Sequence, residues 1–215
     1  MTSNALARID SIVFDLDGTL WDTCASCAIG WNNVARRNGI VFREITADDV
    51  RSVAGRPHAA CIREIFVGLP EVELVILADE TQDEDTRIIA ERGGLLFQGV
   101  AEGLDRLAAR FPLFIVSNCQ AGYIETFLTL TGFGPLFRDH ECFGNTGRTK
   151  TENLSALISK NGLARPLFVG DTAGDEKAAL ENDVPFVFAA YGFGTCSKML
   201  LTLTAFQQLP DLLVR

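Results

Sequence analysis

Positive charge is scarce in this chain. Nineteen Lys and Arg stand against 28 Asp and Glu, a formal net charge of −9, and the lysines are only Lys150, Lys160, Lys177 and Lys198. That balance argues against nucleic acid or an anionic membrane as the main partner. A local basic pocket inside an acidic protein still leaves anionic substrates open. Long apolar runs are also missing. The opening stretch MTSNALARIDS has no signal-peptide hydrophobic segment, and no run approaches the roughly 20 residues of a membrane span. A soluble, cytoplasmic protein is the expectation. The six cysteines lack the spacing of a secreted disulfide framework, and a chain of 215 residues needs none. Cys24-Ala25-Ser26-Cys27 is formally C-x-x-C, but no second pair accompanies it. It falls where a helix should begin, and both are read as reduced helix cysteines.

What is present is apolar material for a core, 47% of residues, with no internal repeat or low-complexity segment. Ile9, Ile12, Val13 and Phe14 form a β-rich run that ends abruptly in Asp15-Leu16-Asp17-Gly18-Thr19. Asp is poor in strands and expensive to bury unpaired. Alternation points Asp15 and Asp17 the same way, and Gly18 permits a sharp turn close to a ligand. An ordinary acidic turn is the competing reading, since D-G pairs are common turn formers.

Residues 22–93 read as helices: Ala28, Trp31, Val34 and Ala35 at helical spacing with Asn38-Gly39 as a stop, a Thr46/Asp49 N-cap, Pro57 opening a helix with Ile62, Ile65 and Phe66 on one face, and one or two helices over residues 70–92. Roughly seventy residues without a convincing strand exceed a simple crossover, which fits an inserted helical domain. From residue 99 strands and helices alternate. Strands are expected at 113–116, weakly at 141–143, at 167–169 and at 186–189, with helices at 100–110, 121–130, 149–160, 174–182 and near 196–208. This is the pattern of a parallel sheet with helices on both faces. The expected organisation is an α/β Rossmann-like core from residues 1–20 and 95–215, interrupted by an all-helical cap at 21–94.

In such sheets ligands gather at the carboxyl ends of the strands. There the sequence offers Asp15 and Asp17, then Ser117-Asn118, then Gly170-Asp171 with Asp175 one turn on. Four carboxylates brought together repel unless a cation compensates, and an all-oxygen set suits Mg²⁺. Ser117 and Asn118 precede a helix expected from about Ala121, where N–H groups and the dipole favour phosphate; plain N-capping is the alternative. Lys150, at a helix start after a strand, is favoured over Arg148 as the compact cation against the nucleophile and phosphate.

In this order the residues resemble the four motifs of the haloacid dehalogenase-like superfamily of phosphohydrolases: Asp15-Leu16-Asp17-Gly18-Thr19, Ser117-Asn118, Lys150, and Gly170-Asp171-Thr172-Ala173-Gly174-Asp175. The match runs from residue 9 to about 194, and the first and last motifs together are highly specific. Lys150 departs slightly, being followed by Thr151-Glu152 without the proline often seen. The helical insertion resembles that of the phosphoglycolate phosphatase-like and β-phosphoglucomutase-like branch. The resemblance implies that Asp15 is the nucleophile forming an aspartyl-phosphate and that Asp17 is the general acid and base. It implies Mg²⁺ held by Asp15, the Asp17 carbonyl and Asp171, with Asp175 in support. Lys150 would neutralise the phosphoryl group, Thr19 would position Asp17, and Thr19, Ser117 and Asn118 would form the phosphate site. The implied reaction is Mg²⁺-dependent hydrolysis of a small phosphorylated metabolite, phosphoglycolate-like or a sugar phosphate. A sugar phosphomutase shares every core residue. A pyrophosphatase or nucleotidase, or a non-catalytic phosphate-binding regulator, is a more distant alternative. Specificity should come from the cap. Arg56 and His58 in Gly55-Arg56-Pro57-His58, with Trp21 and Trp31, are the candidates, although the first pair could equally be an exposed helix start. Gly93-Gly94 and the stretch near residue 20 are candidate hinges, and oligomeric state stays open.

Overall fold

The computed structural model describes residue 6 and residues 8–214, so residues 1–5, 7 and 215 of the expected core segments lie outside the described residues. The first strand, β1 (Ser11–Phe14), is buried throughout and lies in the middle of a six-stranded sheet. Its neighbours are β4 (Leu113–Ser117) and β6 (Pro166–Gly170), both parallel to it. Beyond β4 lies the edge strand β5 (Phe137–Cys142). Beyond β6 come β7 (Phe186–Ala189) and β8 (Leu201–Leu203), again parallel. The chain thus fills one side of β1 and then crosses to fill the other. That reversal opens a crevice at the carboxyl end of β1, the usual ligand position in an open α/β sheet.

The two-residue period of the strands divides their side chains between the two faces. Val13, Phe114, Val116 and Phe168 meet the helices α8 (Lys150–Asn161) and α9 (Ala173–Glu181) through Leu154, Leu157, Ala178 and Ala179. Ile12, Phe14, Ile115 and Val169 face the other way. There they join a core with α5 (Val100–Ala108), α6 (Tyr123–Thr131) and α10 (Gln208–Leu213). Both faces are covered, as a parallel sheet requires.

Between β1 and β4 the chain forms four helices, α1 (Cys24–Arg37), α2 (Ala47–Val53), α3 (His58–Ile65) and α4 (Glu71–Arg92). Thr46 and Asp49 form a reciprocal capping box that starts α2. Residues 71–92 make one helix of 22 residues. The insertion is entered and left through β2 (Trp21–Asp22) and β3 (Leu95–Leu96), an antiparallel pair in which Trp21 faces Leu96 and Asp22 faces Leu95. The two stretches expected as hinges are therefore tied together by a short ladder. A four-residue helix, α7 (Phe143–Thr146), follows β5.

Two expectations are corrected. The helix anticipated near 196–208 is the strand β8 followed by α10. Leu201-Thr202-Leu203 alternates apolar and polar and completes the sheet beside Val187–Ala189, which outweighs its helical spacing. The weak strand expected at 141–143 begins earlier, at Phe137. Its polar Arg138, Asp139 and Glu141 hide it from a search for apolar runs, because an edge strand is only partly buried.

Candidate active site

The Asp15-to-Thr19 segment leaves β1 and turns under the cap. Gly18 has φ +84°, a region that L side chains avoid, and a Cβ there would stand 2.2 Å from Asp171 Oδ2. Only glycine lets this turn approach the carboxylate delivered by β6. Asp15 and Asp171 are both buried.

Lys150 is the first residue of α8, which starts from a Thr149/Glu152 capping box. Its buried side chain places Nζ 2.7 Å from Asp15 Oδ1 and 2.6 Å from Asp175 Oδ1. Arg148 is exposed, and Lys160 and Lys177 pair with Asp139 and Glu181 on the surface. Asp175 also completes the capping box of α9, accepting from Thr172 N at 2.9 Å and Thr172 Oγ1 at 2.6 Å. One carboxylate thus starts a helix and anchors the buried lysine. Burial alone would pull Lys150 down, but Asp15 and Asp175 more than reverse it and hold the ammonium charged.

Asp15, Asp171 and Asp175 bring carboxylate oxygens within 4.8 Å of one another. Burial and then Asp175 push the Asp15 carboxyl up, against the pull of Lys150. Burial and Asp175 push Asp171 up to about 7, although the Phe193 N–H, 2.7 Å from its Oδ2, draws it down. Asp15 Oδ2 is buried with no hydrogen-bond partner among the described residues. Three mutually opposed carboxyls with an orphaned oxygen form an all-oxygen site that fits a hard divalent cation. The Asp17 carboxylate lies outside this cluster.

Asp17 is held instead by two hydroxyls, Tyr123 Oη at 2.6 Å and Thr23 Oγ1 at 3.3 Å, which also bond each other at 2.7 Å. Burial raises its carboxyl to about 6 against those hydrogen bonds. A carboxyl poised there can give and take a proton near neutrality. Thr19 was expected at the phosphate and beside Asp17. Its buried hydroxyl donates to Asp171 Oδ1 at 3.4 Å, and Thr23 and Tyr123 fill the positioning role. Nor do Ser117 and Asn118 cap a helix. The helix begins later, at Tyr123. Ser117 Oγ accepts from the Cys119 N–H at 3.2 Å, and the Asn118 amide donates to the cap carbonyl of Gly55 at 2.8 Å.

A cavity of about 80 Å³ lies between these groups and the cap. Asp15, Asp17, Ser117 and Asn118 line it from the core, and Trp31, His58 and Asp85 from the cap. The two expected substrate residues separate. Arg56 is half-exposed at the rim and paired with Glu64. His58 turns inward, its Nε2 2.8 Å from Thr81 Oγ1 and its ring edge-on to Trp31. Burial pushes its imidazole down to about 4, so it is neutral at pH 7. Trp21 does not reach the cavity; it is buried against Tyr123 and Phe127. Cys24 and Cys27 are buried and free, and burial raises both thiols.

The sequence reading missed Thr23, Tyr123, Gln120 and Asp85. For Asp85 a signal existed. Leu77, Thr81 and Asp85 follow one another at four-residue steps, with Ile88 three further on, so the acid lies on the buried stripe of α4. Tyr123 carried none, because nothing local marks a tyrosine that reaches a strand-end aspartate 106 residues away.

The sequence pattern of the haloacid dehalogenase-like hydrolases matches residues 12–189. A phosphoglycolate phosphatase of Agrobacterium fabrum is 28% identical over 205 residues, covering 90% of this chain and 84% of that protein. One of Shigella boydii is 27% identical over 237 residues, covering 98% and 93%. The solved structure of a haloacid dehalogenase-like family hydrolase from Streptococcus pneumoniae superposes with a TM-score of 0.83 at 19% identity, covering 98% of this chain and 99% of that one. The chain belongs to the haloacid dehalogenase-like hydrolases, with an α/β core and a helical cap. Within that family it is a phosphatase. Among the described residues no helix is long and apolar enough to cross a membrane.

Proposed function

We propose that the protein is a Mg²⁺-dependent phosphatase that hydrolyses a small phosphorylated metabolite through an aspartyl-phosphate. The core would comprise residues 1–20 and 95–215 and the cap 21–94. The observation that carries this reading is the state of Asp15. One oxygen is held 2.7 Å from a buried ammonium, and the other is buried with no hydrogen-bond partner among the described residues. Asp15 would attack phosphorus while the bond from phosphorus to the leaving oxygen breaks, and Asp17 would give its proton to that oxygen. Asp17 then takes a proton from water as the water attacks the aspartyl-phosphate. This releases inorganic phosphate and restores the Asp15 carboxylate. Ser117 offers its hydroxyl to the phosphoryl oxygens, and Lys150 favours the anionic form of Asp15 and aims it. Asp15, the Asp17 carbonyl and Asp171, with Asp175 behind them, would hold Mg²⁺. When bound, the ion neutralises charge on the transferring group. The names of the curated relatives support phosphoglycolate as one substrate class, and a sugar phosphate is the other. A reducing compartment such as the cytoplasm suits six free thiols.

The test is phosphate release from p-nitrophenyl phosphate with and without Mg²⁺. Release that depends on Mg²⁺ and is lost in Asp15→Asn is the expected result. No turnover by folded protein with Mg²⁺ would overturn the reading. Isomerised sugar phosphate with little free phosphate would make the protein a mutase instead.

A further inference from the structure

Asp15 is 1% exposed, and the space beside it is the cavity of about 80 Å³ under the cap. A phosphate ester cannot reach a nucleophile so enclosed unless the cap first moves away. The arrangement is therefore the shut one, and contacts that cross from cap to core are what opening must break. Several of them converge on α2 and the loop that follows it. The same segment roofs the cavity with Val50, Val53, Ala54, Gly55 and Arg56.

Two side chains fasten this segment from different sides. At the end of β4, the Asn118 amide donates to the Gly55 carbonyl at 2.8 Å. Gly55 has φ +84°, and a Cβ there would stand 2.8 Å from Thr172 Cγ2, so the loop lies directly on the end of β6 as well. From α2 itself, Arg51 sets its guanidinium 5.5 Å from the centre of the Phe193 ring, beyond β7. Asp22, on the strand that enters the insertion, holds that guanidinium from behind at 2.8 Å. Phe193 is no idle surface ring. Its N–H is the one that holds Asp171 at 2.7 Å. A Cβ on the neighbouring Gly192 would stand 2.3 Å from the Gly18 carbonyl. The residue that Arg51 grips is thus pressed onto the catalytic turn.

We propose that Asn118 and Arg51 are positioning residues that clasp the cap shut, Asn118 through the Gly55 carbonyl and Arg51, aimed by Asp22, through the Phe193 ring. Asn118 then spends an amide N–H on the cap before any phosphate arrives. The inference goes beyond the reaction assigned to the site, and its test needs no turnover. Loss of the phosphatase reading would leave it standing, and its own failure would leave that reading intact.

The experiment is thiol labelling of the protein free of phosphate and Mg²⁺, with a maleimide too large for the cavity and mass spectrometry to read each cysteine. Cys24, Cys27 and Cys61 are buried and line the cavity, whereas Cys142 is buried at the end of β5, away from the cap. In wild type the three cavity thiols should label at a rate that rises only weakly with dilute urea, because a swinging cap exposes far less surface than unfolding. Asn118→Ala should speed their labelling about fivefold, the scale of one net hydrogen bond. Arg51→Ala should speed it about threefold, the scale of one cation–π contact. Arg51 lies outside the cavity lining, so its removal opens no hole for the reagent. Asp22 keeps the Cys24 N–H in that variant. Labelling of Cys142 should not change in either. Arg51→Lys keeps a cation for the ring and should fall between wild type and Arg51→Ala, which supplies a readout if the alanine variants fail to fold. Cavity thiols that label no faster in folded variants, or that accelerate only together with Cys142, would overturn the inference. So would a wild-type rate that climbs with urea as steeply as global unfolding.

Discussion

Asp15 in the core and Asp85 in the cap are both buried and both border one cavity, yet their surroundings differ in kind. Around Asp15 the protein gathers charge: Lys150 at 2.7 Å, with Asp175 and Asp171 beside it. Around Asp85 it gathers neutral groups: the Trp31 indole, the Cys27 thiol and an uncharged imidazole. Burial pushes both carboxyls up, but only Asp15 has a cation pulling back. A buried carboxylate with a fixed ammonium stays available as a nucleophile. A buried carboxyl without one serves as a hydrogen-bonding surface. In the proposed reaction the core side acts on the phosphoryl group, and the cap side borders what is attached to it.

The contrast is broken most severely at Asp15. Asp15→Asn leaves the shape unchanged and removes the anion, so kcat should fall by roughly 10⁴-fold or more, the scale seen when a nucleophile is lost. Steady-state phosphate release checks it, and a loss of less than tenfold would assign the attack elsewhere. Next is the cation. Lys150→Met leaves Asp15 and Asp175 buried without their shared partner, which should lower stability by about 3–5 kcal/mol and abolish turnover. Asp85→Leu removes an acid that has no cation, and should lower stability by no more than about 1–3 kcal/mol from the stranded Trp31 N–H. Urea unfolding of the two variants measures the difference; equal losses would erase the distinction drawn here.

The two regions were also unequally legible. The core site could be read because each of its groups sits at a strand end or a helix start, where local pattern fixes position. Asp15 follows an apolar strand, Asp171 follows another, and Lys150 and Asp175 open helices marked by Thr149 and Thr172. Once the strands are parallel and β1 is central, these ends converge without further information. The cap offers no such convergence. Its pocket forms from faces of α1, α2, α3 and α4, and which faces meet depends on packing between helices. Arg56 and His58 are neighbours in sequence, yet one points out and the other in. Thr19 fails for a related reason. A turn places successive side chains by its exact dihedrals, and Gly18 at φ +84° sends Thr19 to Asp171.

His58 sharpens the cap side of the comparison through pH. Its folded pKa of about 4 lies below the ordinary value of 6.5, so the fold favours the neutral ring. Its contribution is fully present above pH 6.5 and is lost as pH falls from 6.5 towards 4. At about 1.4 kcal/mol per pKa unit the loss reaches about 3 kcal/mol. Asp85 acts oppositely, since a raised carboxyl binds its proton more tightly in the folded state. The difference between wild type and His58→Gln therefore isolates the ring. Denaturation curves at pH 7.5 and 4.5 should show that wild type loses more stability than the variant over this interval, and parallel losses would make the histidine exposed or already charged.

The smallest effect is expected at Tyr123, where the core's proton carrier touches a neutral group of the kind that surrounds Asp85. The Asp17 carboxyl, at about 6, must be protonated when the leaving oxygen departs, so kcat/KM should fall as pH rises through that value. The Tyr123 hydroxyl, 2.6 Å away, stabilises the ionised form and is the strongest influence lowering that pKa. Tyr123→Phe keeps the ring against Trp21 and removes only the donor. Asp17 should then hold its proton to higher pH, carrying the alkaline limb of kcat/KM upward. Thr23 still donates to Asp17, so kcat at the optimum should change by less than about tenfold. A limb that stays in place while kcat drops would mean that Tyr123 orients Asp17 without tuning it. A limb that moves downward would mean that Asp17 is not the group whose proton the reaction consumes.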